Sequence, residues 1–313
     1  MSFLSPLCAL DVGSTTTRCW LEGSDTILTV PTPRSLVVRG RIRDDIALGS
    51  FLHSLIFTSD RRSLGVARPR VVASVPCCFT SVEKGGIIRA LHGAGVLGTQ
   101  LVLTALCAAS GVGADLSSAK ATVLLSCGSQ YSELSLIVSG TQIVSRELSC
   151  TAHELLRHLS RRITQELQIS VPPHILSALI EAKVGLQEWE QKDLHVPGKN
   201  TQTGKASEVV IPQKLLRDEI ERFFAEQCEY IEREFNKLDA SLLSDILEQG
   251  ILLYGGFSQF SGLSLSLSSS LKIPVSVVPD PELCVIQGLK ELASSITFPD
   301  FENEMEEFTV LGC

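Results

Sequence analysis

The sequence predicts a duplicated α/β fold, and three observations carry that reading. Two strand–turn–strand–turn–strand segments stand about half a chain apart. Between them, apolar strands alternate with helices. A glycine-marked turn follows the first strand of each segment, as in a fold built from paired domains.

The first segment covers residues 7–30. "LCALDV" is apolar, "GSTTT" turns, "RCWLE" alternates, "GSD" turns again and "TILTV" alternates. Residues 121–147 repeat the plan with "ATVLLS", "CGSQYS", "ELSLIV", "SGT" and "QIVSREL". Asp11, Gly13 and Ser14 fall in register with Ser126, Gly128 and Ser129.

Between the segments, "RPRVVASVP" (68–76) predicts a buried strand. "SVEKGGIIRALHGAG" (81–95) predicts a helix weakened by Gly85 and Gly86. "QLVLTAL" (100–106) predicts another strand, followed by a small-residue helix, "CAASGVGADL".

Beyond residue 150 the pattern turns helical. Thr151 and Glu154 have the spacing of a capping box, ahead of an apolar face of Leu155, Leu156, Leu159, Ile163 and Leu167. "PPHILSALIEAKVG" predicts a second helix, and residues 195–210 an exposed loop or hairpin. Pro212 opens a long helix with Leu215, Leu216, Ile220, Phe223, Phe224, Ile231 and Phe235 on one stripe and a solvated charged face opposite. "GILLYGGFSQFSGLSLSL" reads as strand, double-glycine turn and helix, and "IPVSVV" as a strand. "PDPELCVIQGLKEL" reads as a helix with Asp280 as N-cap and Pro281 in its first position. The acidic tail from "FPDFENEMEEFTVLGC" is expected to be loosely ordered.

Composition narrows the function. The chain has 313 residues, 44% hydrophobic and 20% charged, which gives room for a large core. A net charge of −8 argues against nucleic acid as the main partner. No apolar run reaches the roughly 18–20 residues that cross a bilayer, and "MSFLSPLCALD" lacks a secretory pattern. A cytoplasmic protein is expected. The ten cysteines form no CxxC and none has a histidine at zinc spacing, so they read as reduced core residues.

Three loops carry candidate chemistry. In "DVGSTTT", Gly13 permits a tight turn, and Ser14, Thr15 and Thr16 offer hydroxyls and consecutive N–H groups for an anion. Asp11 has the chemistry to hold the waters of a Mg²⁺ ion. In "LLSCGSQYSEL", Gly128 and Ser129 occupy the equivalent turn. In "YGGFSQFSGL", Gly255 and Gly256 let backbone approach a flat ligand, beside Phe257 and Ser258. A plain hairpin or strand-to-helix turn explains each loop taken alone. A Walker lysine loop is absent.

Together and in this order, the loops resemble those of the actin-like (ribonuclease H-like) ATPase fold, and within it the MreB-like bacterial actins. The most specific likeness is "RPRVVASVPCCFTSVEKGGIIRALHGAGV", similar to the family's Pro-Arg-Val-Val, Val-Pro and Thr-x-Val-Glu-Lys run. "GRIRDDIALGSFLHSLI" (40–56), "DILEQGILLYGGFSQFSGL" and "PVSVVPDPELCVIQG" also look like family segments. The resemblance implies two lobes around a nucleotide cleft, residues 1–117 and 118–300, with an outer subdomain around 165–212 and an acidic tail at 301–313. It implies ATP and Mg²⁺ as cofactors. Asp11, Gly13, Ser14, Thr15 and Thr16 would meet phosphates and metal, with Asp11 as the metal's acid. Gly128 and Ser129 would close over them, and Gly255, Gly256, Phe257 and Ser258 would line the base.

The departures from the family pattern point to lost catalysis. The family's second loop reads Asp-Ile-Gly-Gly-Gly-Thr-Thr, against Ser126-Cys127-Gly128-Ser129-Gln130-Tyr131-Ser132 here. Its Glu-Glu-Pro, which places a water-activating carboxylate, matches Ala105-Leu106-Cys107. Its Glu-Glu-Ile-Lys matches Ala178-Leu179-Ile180-Glu181. Phe257 replaces a glycine and is expected to intrude on the base. The short chain between Val30 and Gly40 implies a reduced outer subdomain in the first lobe. The expected protein is a cell-shape scaffold with weak or absent ATP binding and hydrolysis. Its expected partners are itself or a full-length relative in filaments, wall-synthesis proteins and a membrane surface, but no nucleic acid. The alternatives are an active filament-forming ATPase that uses a displaced acid such as Glu133 or Glu154, and an FtsA- or PilM-like adaptor.

Overall fold

The structure, a computed structural model, describes residues 5–58, 68–183, 193–296, 298 and 310–311. In chain order the first strands are β1 (Leu7–Val12), β2 (Thr16–Leu21), β3 (Leu28–Pro31), β4 (Val37–Val38) and β5 (Arg41–Ile42). Then follow α1 (Asp45–Thr58), β6 (Arg70–Val75), α2 (Ser81–Ala94), β7 (Gly98–Leu103) and α3 (Thr104–Gly111). The second meander is β8 (Thr122–Cys127), β9 (Ser132–Val138) and β10 (Thr141–Leu148). Next come α4 (Ala152–Leu167), β11 (Ile169–Ser170), α5 (Pro173–Lys183), β12 (Leu194–Asn200), β13 (Ala206–Ile211) and α6 (Gln213–Phe235). The remainder is α7 (Ala240–Gln249), β14 (Ile251–Tyr254), α8 (Leu263–Leu271), β15 (Val275–Val277), α9 (Cys284–Ala293) and β16 (Val310–Leu311).

These elements form two compact units. The first holds residues 1–124, 133–147 and 278–313, and the second 125–132 and 148–277. The first is built on a six-stranded sheet in the order β16-β7-β6-β1-β2-β3. β1, β6 and β7 run parallel, while β2 and β3 return antiparallel. The parallel strands are apolar almost throughout, because helices and sheet bury both faces. Val71, Val72, Ala73 and Val75 are all buried in β6. β2 alternates instead, with Thr17, Cys19 and Leu21 buried. Arg18 therefore lies on its other face, directly across from Asp11 of β1.

Helices meet in the first unit with little space between them. A Cβ added to Gly288 of α9 would lie 1.8 Å from the Cys107 carbonyl oxygen of α3. One added to Gly111 of α3 would lie 1.9 Å from the Cys284 carbonyl oxygen. The pair of glycines thus sets the distance between α3 and α9. Helix α2 begins with a complete capping box between Thr80 and Glu83, and ends at Gly95 in the left-handed conformation.

In the second unit α6 packs against α4 and α8, and α8 packs against β15, which pairs with β14. β12 and β13 form a hairpin, joined by β11 in a three-stranded sheet. The expected stripe of α6 is buried, with Phe223 and Phe224 fully enclosed. A five-stranded sheet takes the order β10-β9-β8-β14-β15.

Four expectations need correction. Strand β7 stops at Leu103, so Thr104, Ala105 and Leu106 belong to α3, as suits the helix propensity of Ala105 and Leu106. Helix α9 starts at Cys284 rather than Pro281. Asp280 takes a positive φ of 43°, tolerable for aspartate, and its carbonyl accepts from Leu283 and Cys284 in a turn that delays the helix. Thr151 caps α4 by accepting from the Glu154 N–H at 3.2 Å, but the Glu154 carboxylate turns to Arg157 at 2.6 Å. Val310 and Leu311 of the tail form a parallel strand on β7, and residues 299–309 lie outside the described residues.

The α3–α9 contact predicts that Gly288→Ala destabilises the fold by roughly 1–3 kcal/mol, read as a lower urea midpoint, despite alanine's better helix propensity, because carbonyl oxygens rather than side-chain tips must move. An unchanged midpoint would contradict the close packing.

Candidate functional site

The first loop is a tight turn between β1 and β2. The Gly13 N–H donates to the Thr16 carbonyl at 3.0 Å. A Cβ on Gly13 would lie 2.8 Å from that same oxygen. The second loop repeats this closure between β8 and β9. The Gly128 N–H donates to the Tyr131 carbonyl at 3.0 Å, and a Cβ on Gly128 would lie 2.6 Å from it. The register between Gly13 and Gly128 read from the sequence is therefore a repeat of backbone geometry.

Within the first loop, the chain's own groups engage most of the candidate side chains. Ser14 Oγ accepts the Gly40 N–H at 3.1 Å, from the hairpin turn where Arg39 and Gly40 both have positive φ. The Thr32 hydroxyl donates to the Gly13 carbonyl at 2.8 Å and pairs with the Thr17 hydroxyl at 2.8 Å. Thr15 is exposed and Thr16 half-buried.

Asp11 is tied down on both oxygens. Ser74 Oγ donates to Oδ1 at 2.7 Å, and Arg18 Nη1 stands 3.7 Å from Oδ2. Burial pushes the Asp11 carboxyl up from its ordinary value, against the opposing pull of Ser74 and Arg18. Two thiols of the first unit sense its charge. Cys107 is raised well above the usual thiol range by burial and then by Asp11, and Cys284 is pushed up to about 12 by the same two causes. Both thiols stay protonated at neutral pH and offer no nucleophile.

Where the family resemblance puts a water-activating carboxylate, the chain has the first turn of α3. Ala105, Leu106 and Cys107 are all buried there. Leu106 has no atom that accepts a proton. The two displaced acids are also accounted for. Glu133 is 3% exposed, and its Oε1 accepts from Ser135, Gln142 and Ser145, each at 3.0 Å. Glu154 is paired with Arg157 at the start of α4.

In the second unit, the N–H groups of Ala152 and His153 at the start of α4 donate to the Gly128 and Ser129 carbonyls at 3.3 and 2.9 Å. The helix terminus therefore serves the second loop's own backbone. Ser126 accepts through its carbonyl from Ser132 Oγ at 2.6 Å. Gly255 has φ 89°, and a Cβ there would lie 2.6 Å from the Cys127 carbonyl oxygen. Ser258 is buried, with its hydroxyl donating to the Gly255 carbonyl at 2.7 Å. Phe257 is buried and packs on Phe260 with centroids 5.3 Å apart. Gly256 is exposed. The matched segment in α5 places Ala178 at the surface and Leu179 half-buried, while the side chains of Ile180 and Glu181 lie outside the described residues. The first unit thus brings Asp11, Gly13, Ser14, Thr15 and Thr16 together, and the second brings Gly128 and Ser129 to one turn with Gly255 beside Cys127. Arg18 escaped the sequence reading. The signal was its place in β2 opposite Asp11, legible once the hairpin is in register.

The class is an actin-like α/β fold. The crystal structure of MreB5 of Spiroplasma citri bound to AMPPNP superposes with a TM-score of 0.81 at 17% identity, over 93% of this chain and 97% of that one. A MamK double helical filament gives 0.73 at 14% identity, over 93% and 99%. The family model described as MreB/Mbl protein matches residues 26–299, and the chain belongs to that family. Its relatives include the cell shape-determining proteins Mbl of Bacillus subtilis, 20% identical over 71% of this chain and 67% of that one, and MreB of Escherichia coli K12, 23% identical over 80% and 72%.

Two expectations follow from the geometry. Glu133→Ala is expected to destabilise the fold by roughly 2–3 kcal/mol, because the buried Ser135 and the half-buried Gln142 and Ser145 lose an acceptor. Chemical denaturation measures it, and a neutral result would show that the acid is not needed structurally. Asp11 supplies a pH signature. Its folded value lies above the unfolded one of roughly 3.9, so the native chain holds a proton that the unfolded chain has lost. Stability therefore falls as pH rises from the unfolded value to the folded one, then levels. Asp11→Asn should remove that slope, so melting temperatures of the two proteins plotted against pH should diverge across this window in favour of the variant.

Proposed function

We propose that this MreB/Mbl family member works as a cell-shape scaffold whose nucleotide site is degenerate, binding ATP weakly or not at all and hydrolysing it slowly or not at all. The observation that carries the reading is Leu106, buried in the first turn of α3 at the position matching the family's catalytic carboxylate. Hydrolysis of a phosphoanhydride depends on positioning and charge stabilisation, and on a group that orients water. Glu133 cannot substitute, since its carboxylate already accepts three internal hydrogen bonds. AMPPNP in the related MreB5 structure supports a nucleotide as the ligand to test first.

The scaffold reading extends to assembly. The filament formed by MamK supports self-association, or copolymerisation with a full-length relative, as the expected partner chemistry. A reduced outer subdomain in the first lobe fits the single two-stranded hairpin of β4 and β5 found between Pro31 and α1. The lobes would divide at residues 117 and 118, with residues 165–212 as the second lobe's outer subdomain. No helix among the described residues is long and apolar enough to cross a membrane. The membrane association in this reading is peripheral.

Phosphate release by the purified chain, with ATP and Mg²⁺, should be no faster than that of Asp11→Asn, while a sedimentation assay on the same samples reports polymer. Metal-dependent release that disappears in Asp11→Asn or Glu133→Gln would overturn the degenerate-site reading in favour of a working ATPase.

A further inference from the structure

Asp11 is the residue that the family resemblance assigns to magnesium, and its surroundings do not suit one. Mg²⁺ demands near-octahedral oxygen ligands and keeps several waters, so it needs a carboxylate with room around it. Oδ1 of Asp11 accepts the Ser74 hydroxyl, and Oδ2 faces the Arg18 guanidinium. No group of three or more His, Cys, Asp or Glu able to hold a metal occurs among the described residues. A divalent ion beside Oδ2 would also meet the positive charge of Arg18 at close range.

Arg18 is itself built into the first unit. Its side chain is 12% exposed, although Arg18 sits on the half-buried face of β2. Nη2 donates to Glu282 at 3.2 Å, in the turn before α9. Nε is buried with no hydrogen-bond partner among the described residues. A guanidinium has five N–H donors in a fixed fork that fits carboxylates and phosphates. Here one arm takes Glu282, another faces Asp11, and one donor is left over.

We propose that Arg18 is the resident cation of the first loop: it neutralises Asp11 in the place of a metal, so the loop takes no divalent ion and any anion it binds is met by guanidinium charge. This deepens the degenerate-site reading and rests on it only for the identity of the anion. The charge logic is independent of nucleotide. A buried carboxylate needs a cation or a proton, and the sequence supplies the cation two residues beyond the turn.

The test separates the two readings, because it needs no nucleotide. Melting temperatures of the full chain, Arg18→Met, Asp11→Asn and the double variant at neutral pH form a thermodynamic cycle. Arg18→Met alone is expected to lower the melting temperature, and adding Asp11→Asn to recover most of the loss. In parallel, Mn²⁺ binding is followed by electron paramagnetic resonance. The natural chain should show no Mn²⁺ site sensitive to Asp11→Asn, and Arg18→Met should gain one. Additive losses in the cycle, or an Mn²⁺ site in the natural chain that Asp11→Asn removes, would overturn the proposal. Tight ATP binding that needs no divalent ion, while the cycle couples, would count against the degenerate-site reading and leave Arg18's role standing.

Discussion

The loop architecture depends on one repeated hydrogen bond, the donation from a glycine N–H to the carbonyl three residues on. Gly13 makes it to Thr16 and Gly128 to Tyr131, at the same 3.0 Å. This closure brings the returning strand into register with the first, and it leaves no room for a Cβ. In each meander, the glycine is needed by the backbone before any ligand is considered. The same holds for Gly255, whose missing Cβ admits the Cys127 carbonyl. Gly13, Gly128 and Gly255 are thus required by the fold itself.

The departures fall on the other kind of position. Leu106, Ser126 and Phe257 stand where the family resemblance expects groups that act on a ligand, and the fold accommodates Leu106 and Phe257 in its interior. Leu106 completes the buried start of α3, and Phe257 turns inward onto Phe260. Ser258 caps the carbonyl of Gly255. Losing the turn glycines would instead disrupt two hairpins.

Much of the fold was legible because its signals are local. Strand β2 alternates with period two beside the apolar β1, α6 shows a helical stripe, and Thr151 caps α4 as its spacing suggested. What the sequence misplaced lies at boundaries decided by tertiary context. The end of β7 and the start of α9 were each misplaced, because Val102, Leu103, Ala105 and Leu106 are apolar on both sides of the first boundary and the left-handed Asp280 mimics a cap. The candidate loops were found by order and glycine content. Their internal bonding was not legible, since Ser74, Gly40, Thr32 and Glu282 reach the first loop from distant stretches of chain. Arg18 shows the difference well. It reads as one polar residue in an alternating strand, and only the pairing of β1 with β2 sets it against Asp11.

That bonding bears directly on what the loops can do. A binding site holds its polar groups ready, with water as the only competitor. Here Asp11, Ser14 and Ser258 already have protein partners, and the first N–H groups of α4 serve the second loop's carbonyls. A ligand must break such bonds before it can replace them, and each exchange returns only about the 1 kcal/mol that it costs. Groups satisfied from within stabilise the turn but give little to a guest. The same hydrogen bonds that close the two meanders are therefore the physical basis on which the proposed scaffold reading rests.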